Sequence, residues 1–145
     1  MKRLYYVLII MAILVGVVGC QSKPVYKEGI YNGTAEEASE NSIATAKVVI
    51  DKSGKIESVY IDETYQGTTK KTLGADYNMK KFNPEAIGEW YEQVSKLEDA
   101  IVKHQGIKFI DLNEEGKTDA VSGCTIKVDA LYKAVNDALE QAKNA

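Results

Sequence analysis

The stretch TDAVSGCTIKVDAL, residues 118–131, sets Ser122, Gly123, Cys124 and Thr125 ahead of an apolar repeat. Four small residues contribute little to packing, and their setting offers two readings. Ser and Thr are favoured helix N-caps, because a side-chain oxygen takes up an amide hydrogen that the first turn leaves unpaired. The same amides, together with the partial positive charge of the helix dipole, favour a phosphate. Gly123 would let a ligand approach the backbone and would permit a tight turn, and Thr125 would bring a hydroxyl to the helix entrance. An isolated S-G-C-T supports the cap, so the phosphate reading needs support from the rest of the chain.

Other chemistry is sparse. His104 is the one histidine, and no Cys-x-x-Cys or histidine pair accompanies it. The pattern offers no metal or haem site, and His104 reads as a surface residue at a helix end. There is no Ser-His-Asp set and no dinucleotide glycine fingerprint, so no catalytic group is assigned. With 18 basic against 21 acidic side chains, the net charge of −3 argues against nucleic acid as a partner.

The elements that must position the motif follow from periodicity. Residues 29–35 make a short strand. In residues 43–50 Ala44, Ala46, Val48 and Ile50 alternate with Thr45 and Lys47; after the turn residues DKSG, Val59 and Ile61 alternate with Ser58 and Asp62. Residues 43–62 therefore read as an antiparallel hairpin. Residues 63–82 have no period and read as one long polar loop, a length that is commonly functional. Asn83 as N-cap and Pro84 as first helical residue open a helix, with Ile87, Trp90, Tyr91, Val94, Leu97 and Ile101 on one face and Gly106 at its end. Residues 107–112 read as a strand. Val128, Leu131, Tyr132, Val135, Leu139 and Ala142 line one face of a last helix, with Lys127, Lys133, Asp137, Glu140 and Lys143 opposite. The fold class expected is α+β: an antiparallel sheet with helices packed on it, the C-terminal helix following the motif.

The chain opens with MKR and an uncharged apolar run to Gly19, the layout of a signal peptide. The sequence VVGC at its end resembles the lipobox of bacterial lipoproteins. Residues 1–19 would then be removed and Cys20 would become the acylated first residue; an uncleaved membrane anchor is the alternative. Loss of Lys2 and Arg3 leaves 16 basic against 21 acidic side chains, a formal charge of −5. That charge gives no help in holding an anionic membrane, so the lipid must do it. Residues 20–27 form a lipidated cysteine and short tether, and residues 28–145 a single domain. With Cys20 acylated, Cys124 is the only remaining thiol, and no internal disulfide is possible.

The run DAVSGCT, residues 119–125, resembles the Asp-x-x-Ser/Thr-Gly-Ala-Thr/Ser pattern of the FMN-binding domain family, known from subunits of sodium-pumping NADH:quinone reductase and Rnf complexes. The similarity extends over residues 28–142. GADYNMK, EWYEQVSKLED and the lipobox together resemble small surface flavoprotein lipoproteins of extracellular electron transfer. The resemblance implies that Thr125 is esterified to the phosphate of FMN by a flavin transferase that uses FAD as FMN donor. It implies that Ser122 and Gly123 shape the phosphate turn, and that Asp119 is the acidic position the transferase recognises. Cys124 departs from the usual Ala; a thiol is small enough to pack in its place.

An isoalloxazine ring needs a flat, partly apolar slot with polar groups at its edge. The stretch 72–80 is the expected source, with Tyr77 or Met79 against the ring and backbone around Gly74 at its edge, whereas Trp90 reads as core. The function implied is an electron carrier, lipid-anchored on the outer face of a cell membrane, most consistent with a Gram-positive surface. It would take electrons from a membrane oxidoreductase or quinol and pass them to extracellular acceptors. Two alternatives stay open: a lipoprotein that holds FMN or another phosphorylated ligand reversibly, and a purely structural envelope lipoprotein.

Overall fold

Strict alternation in the first half of the chain builds a sheet with one dry face. A computed structural model describes residues 25–145; the signal peptide and Cys20 expected from the sequence lie outside them. Strands β1 (Gly29–Glu37), β2 (Ser42–Ile50) and β3 (Ile56–Tyr65) pair antiparallel in order, and the two-residue β4 (Thr68–Thr69) adds to the far edge. In β2, Ala44, Ala46, Val48 and Ile50 are buried while Ile43, Thr45 and Lys47 face water. The register sets Ala46 beside both Gly33 and Ile61. Val48 lies opposite Val59, so apolar side chains gather on one face. The α+β expectation holds: an antiparallel sheet with helices packed on it, the last of them C-terminal.

Between β4 and the first long helix lie three short pieces: α1 (Lys70–Leu73), a 3-10 turn (Gly74–Tyr77) and α2 (Met79–Phe82). Then come α3 (Trp90–His104) and α4 (Asp129–Asn144). Helix α4 packs on β1 and β2, and α3 on β3. Ile50, Ile61, Leu97, Ile101, Leu131 and Leu139 are fully buried between these layers. Among the described residues no helix is long and apolar enough to cross a membrane.

Four expectations change. The long loop of residues 63–82 is instead the end of β3 followed by β4, α1, the 3-10 turn and α2; pieces of two to four residues are too short to show a period. Asp62, expected on the polar face, is 6% exposed. Helix α1 lies over it, and its carboxylate accepts the Lys71 N–H at 3.0 Å. The helix expected from Asn83 starts at Trp90. Asn83 and Pro84 form a turn, in which the Ala86 N–H donates to the Asn83 carbonyl at 3.0 Å. Glu89 and Glu92 then make a reciprocal capping box, which leaves Ile87 outside the helix and 58% exposed.

Residues 107–112 are not a strand. Ile107 and Ile110 are both buried, but the Ile110 N–H closes a turn onto the Ile107 carbonyl at 3.0 Å. Burial at every third residue belongs to a turn, not to a pleat. The packed chain also reaches back before residue 28. Tyr26 is buried, and the Lys27 N–H donates to the Ala142 carbonyl of α4 at 2.9 Å.

Gly33 lets α4 approach β1. A Cβ at this position would lie 2.0 Å from the Ala134 carbonyl oxygen and 2.6 Å from the Ala138 nitrogen, both backbone atoms of α4. Neither can yield without moving the helix. Gly33→Ala should destabilise the protein by about 1–3 kcal/mol or more, read as a lowered urea midpoint with an unchanged slope.

Candidate functional site

The motif does not open the last helix. Helix α4 begins at Asp129 with Val128 as its N-cap and no side-chain cap, so Thr125 lies three residues upstream, in a turn. The helix-entrance argument for phosphate therefore fails at Thr125, and the reason is local. Residues 119–128 hold their turn by other contacts: the Cys124 N–H donates to the Val121 carbonyl at 3.1 Å, and the Val128 N–H to the Gly116 carbonyl at 2.7 Å. Gly123 takes φ +79, a left-handed conformation that favours glycine; the nearest obstacle to a Cβ there is only the movable tip of Lys96.

What holds Thr125 is Gln93, a side chain with no solvent exposure in the first turn of α3. Its Oε1 accepts two hydrogen bonds, from the Thr125 N–H at 2.9 Å and from the Thr125 hydroxyl at 3.1 Å. Its Nε2 donates to the Gly88 carbonyl at 2.9 Å. Thr125 itself remains exposed.

Thr125 borders a cavity of about 200 Å³ between α4, the hairpin and the α1–α2 segment. Two of the residues expected near a flavin ring, Tyr77 and Met79, line it as well. Trp90, read from sequence as core, is 3% exposed in the core cluster and is also part of the cavity wall. Asp119 and Ser122 are exposed and Gly123 half-buried in the same turn, but none lines the cavity, nor does Cys124. Gly74, at the start of the 3-10 turn, does not line it either. Cys124 is 3% exposed, and its thiol is pushed up to about 11 by burial, against smaller opposing effects of the Ile126 backbone and Lys96.

Charge in the cavity comes from residues that no pattern singled out. Lys70 is 3% exposed, yet its ammonium lies 2.8 Å from Glu40 and 3.0 Å from Glu63. Burial opposes its charged form, but the Glu40 hydrogen bond and the field of Glu63 outweigh this, and its pKa is raised. The same ammonium faces the rings of Tyr77 at 5.3 Å and Trp90 at 5.4 Å. Lys127 pairs with Glu37 at 2.9 Å. The Glu37 carboxyl is held down to about 2, chiefly by the Ser39 hydroxyl, with burial opposing and Lys127 assisting. Lys117 completes the cationic lining. A lysine amid threonines (TTKKT) and a glutamine on a helix give no sequence signal for either role.

The donor set suits a phosphorylated aromatic ligand. Lys117, paired with Glu115 at 2.7 Å, and Lys127, paired with Glu37, are the more exposed ammonium groups that can meet an anion. Flat rings of Tyr77 and Trp90 can meet an aromatic system, and an exposed hydroxyl stands at the wall. Among the described residues, no group of three His, Cys, Asp or Glu is placed to hold a metal ion. A family model described as FMN-binding domain matches residues 41–140. No curated protein and no solved structure matches the chain.

Two outcomes follow. Gln93→Leu removes the acceptor of both Thr125 bonds and should cost about 1–3 kcal/mol, with faster amide hydrogen exchange at Thr125 measured by NMR. An unfolded glutamate titrates near 4.3, so Glu37, titrating near 2 in the fold, stabilises fully above about 4.3 and loses that contribution as pH falls towards 2. Glu37→Gln should therefore cost on the order of 3 kcal/mol at neutral pH. In urea titrations its stability should approach that of the unsubstituted protein at the acid end.

Proposed function

Because the chain belongs to the FMN-binding domain family, we propose that it carries its FMN bonded through phosphate to Thr125 and acts as a membrane-anchored electron carrier outside the cell. Flavin binding, with FMN as cofactor, comes with the family. The covalent bond, the anchor and the electron-carrier role are our reading. The observation that carries it is the Thr125 hydroxyl, exposed at the wall of a cavity with three lysines and aromatic faces and oriented by a buried amide.

In the Gln93 bond the Thr125 hydroxyl is the donor, so the lone pairs of Oγ1 stay free for a nucleophilic role. A carboxamide oxygen is too weak a base to take the proton, so a group on the transferase must accept it. The Oγ1–P bond forms as the pyrophosphate bond of FAD breaks and AMP leaves. Lys127 and Lys117 are the cations placed to hold the resulting phosphodiester, and Asp119 and Ser122, exposed beside Thr125, are accessible to the transferase. Bound FMN supplies one- and two-electron redox chemistry, and the protein holds it in place and tunes its electronics.

Attachment answers a problem of dilution. Even a nanomolar dissociation constant would leak cofactor from a carrier facing an open medium, and a phosphoester does not. Acylation of Cys20 would hold the domain to the membrane. With Tyr26 already packed on the domain, the intervening chain reaches about 20 Å at 3.3–3.6 Å per residue. The domain would stay close to its membrane electron donor, an oxidoreductase or quinol, while passing electrons outward.

Co-expressed with a flavin transferase, the protein should gain the mass of one FMN less water, mapped to Thr125 in tryptic peptides. Thr125→Ser should retain the adduct and Thr125→Ala should lose it completely. An unmodified peptide spanning Thr125 in transferase-treated protein would reject the covalent reading.

A further inference from the structure

Tyr77 and Met79 stand between two hollows. On one side is the chamber with Thr125, about 200 Å³. On the other is a cleft of about 770 Å³, which shares Glu40, Tyr77, Met79 and Asn83 with the chamber and is closed by Tyr65 and Phe82. The chamber falls below the roughly 300–1,000 Å³ of small-molecule sites, and the cleft falls within that range.

The two hollows differ in chemistry. The chamber is charged. Lys70, Lys117 and Lys127 line it together with Glu37, Glu40 and Glu63. The cleft is aromatic. Tyr65 on β3, Tyr77 in the 3-10 turn and Phe82 on α2 converge there from three elements. Their ring centroids are 5.0 Å apart for Tyr65 and Tyr77, crossed at 84°, and 5.3 Å apart for Tyr77 and Phe82, stacked at 29°. Phe82 leaves 51% of its surface in water although both partners are within contact range. A large ring exposed at the mouth of an aromatic cleft is a face for a flat ligand.

Resting on the flavin reading above, we propose that FMN spans both hollows. Its phosphate and hydroxylated chain lie in the charged chamber with Thr125, and its isoalloxazine ring lies in the outer cleft against Tyr65, Tyr77 and Phe82. Tyr65 and Phe82 are then ring contacts, and the ring edge reaches solvent beside Phe82. Electron partners would meet the protein at this cleft, which neither Asp119 nor Ser122 lines.

Flavin emission and visible circular dichroism test this without any activity assay, since a stacked tyrosine quenches the excited ring by donating an electron and any stacked ring, phenylalanine included, fixes it in a chiral setting. Each variant is measured in two forms: loaded by the transferase, and in a Thr125→Ala background titrated with free FMN. Phe82→Leu and Tyr65→Leu should each shift the stacked-to-free ratio by about fivefold, seen as weaker visible circular dichroism in both and brighter emission with Tyr65→Leu, with the attached mass unchanged. Phe82→Trp should quench emission below that of the unsubstituted protein. Phe109→Leu, which removes a ring stacked on His104 away from both hollows, should change nothing. Phe82 is half exposed, so its variants should fold, as far-UV circular dichroism will report.

Emission unchanged in both Leu variants, equal brightening by Phe109→Leu, or no binding of free FMN to the Thr125→Ala protein would each overturn the ring seat. Loss of the covalent mass in the Thr125 protein, with the quenching pattern intact in the titration, would overturn only the attachment.

Discussion

The site depends on one buried carboxamide. Gln93 has its acceptor on Thr125 and its donor on Gly88, and only one orientation of the amide satisfies both, because Oε1 cannot donate and Nε2 cannot accept. A polar group without solvent is costly unless its partners are present, so this amide locks the motif turn to the first turn of α3. The same helix is fixed at its far end by a second glutamine. Gln105 takes the left-handed conformation past the last turn, and its amide bonds both the N–H and the carbonyl of Ile56, at 2.8 and 2.9 Å. Helix α3 is thus a bar joined to the motif at its N-terminal end and to the sheet at its C-terminal end. A hydroxyl on an exposed turn gains a fixed direction from a rigid element.

Around that hydroxyl the protein keeps charge in a place where charge is expensive. Lys70 is as buried as the apolar core, and an ammonium in such a position is tolerated only with close counter-charges. Glu63 supplies one from β3 and is itself buried. Glu40 supplies the other from the turn after β1, at 47% exposure. Well-packed apolar residues could fill the same volume at equal or better stability, so a buried cation at the wall of the cavity is more economically explained by a ligand than by the fold. The carboxylate partners also keep the chamber near neutrality, which limits the repulsion between Lys70, Lys117 and Lys127 before an anion arrives.

Sequence periodicity was legible wherever an element was long and one-sided. Ala44 to Ile50 alternate over nine residues of strand, and Leu131, Val135, Leu139 and Ala142 recur along sixteen of helix, so both elements were readable. Signals failed where two structures share them. Asn83 and Pro84 suit a helix start and a type I turn alike, and the capping pair that won, Glu89 with Glu92, lacks the usual Ser or Thr. The gap between Thr125 and Asp129 was invisible because Val128 continues the helical repeat without being helical. Within the site, Thr125, Tyr77 and Met79 came from motif and composition. Gln93, Lys70, Glu40 and Glu63 are brought together only by tertiary contacts, and no local pattern marks a polar residue as buried.

Cys124 shows how the fold handles the one position that departs from the family's motif. A free thiolate beside a flavin would be a hazard, because thiolates add to electron-poor rings and are the reactive form towards oxidants. The chain prevents this by placement. The side chain points into the core while its neighbour Thr125 faces the cavity, and with the thiol at about 11 only about one molecule in a thousand is ionised at pH 8. The residue next to Thr125 can therefore be a cysteine without presenting a reactive thiol at the hydroxyl. The turn carries that separation: the Cys124 N–H is tied to the Val121 carbonyl and the Thr125 N–H and hydroxyl to Gln93, so one side chain is dry and the next is wet.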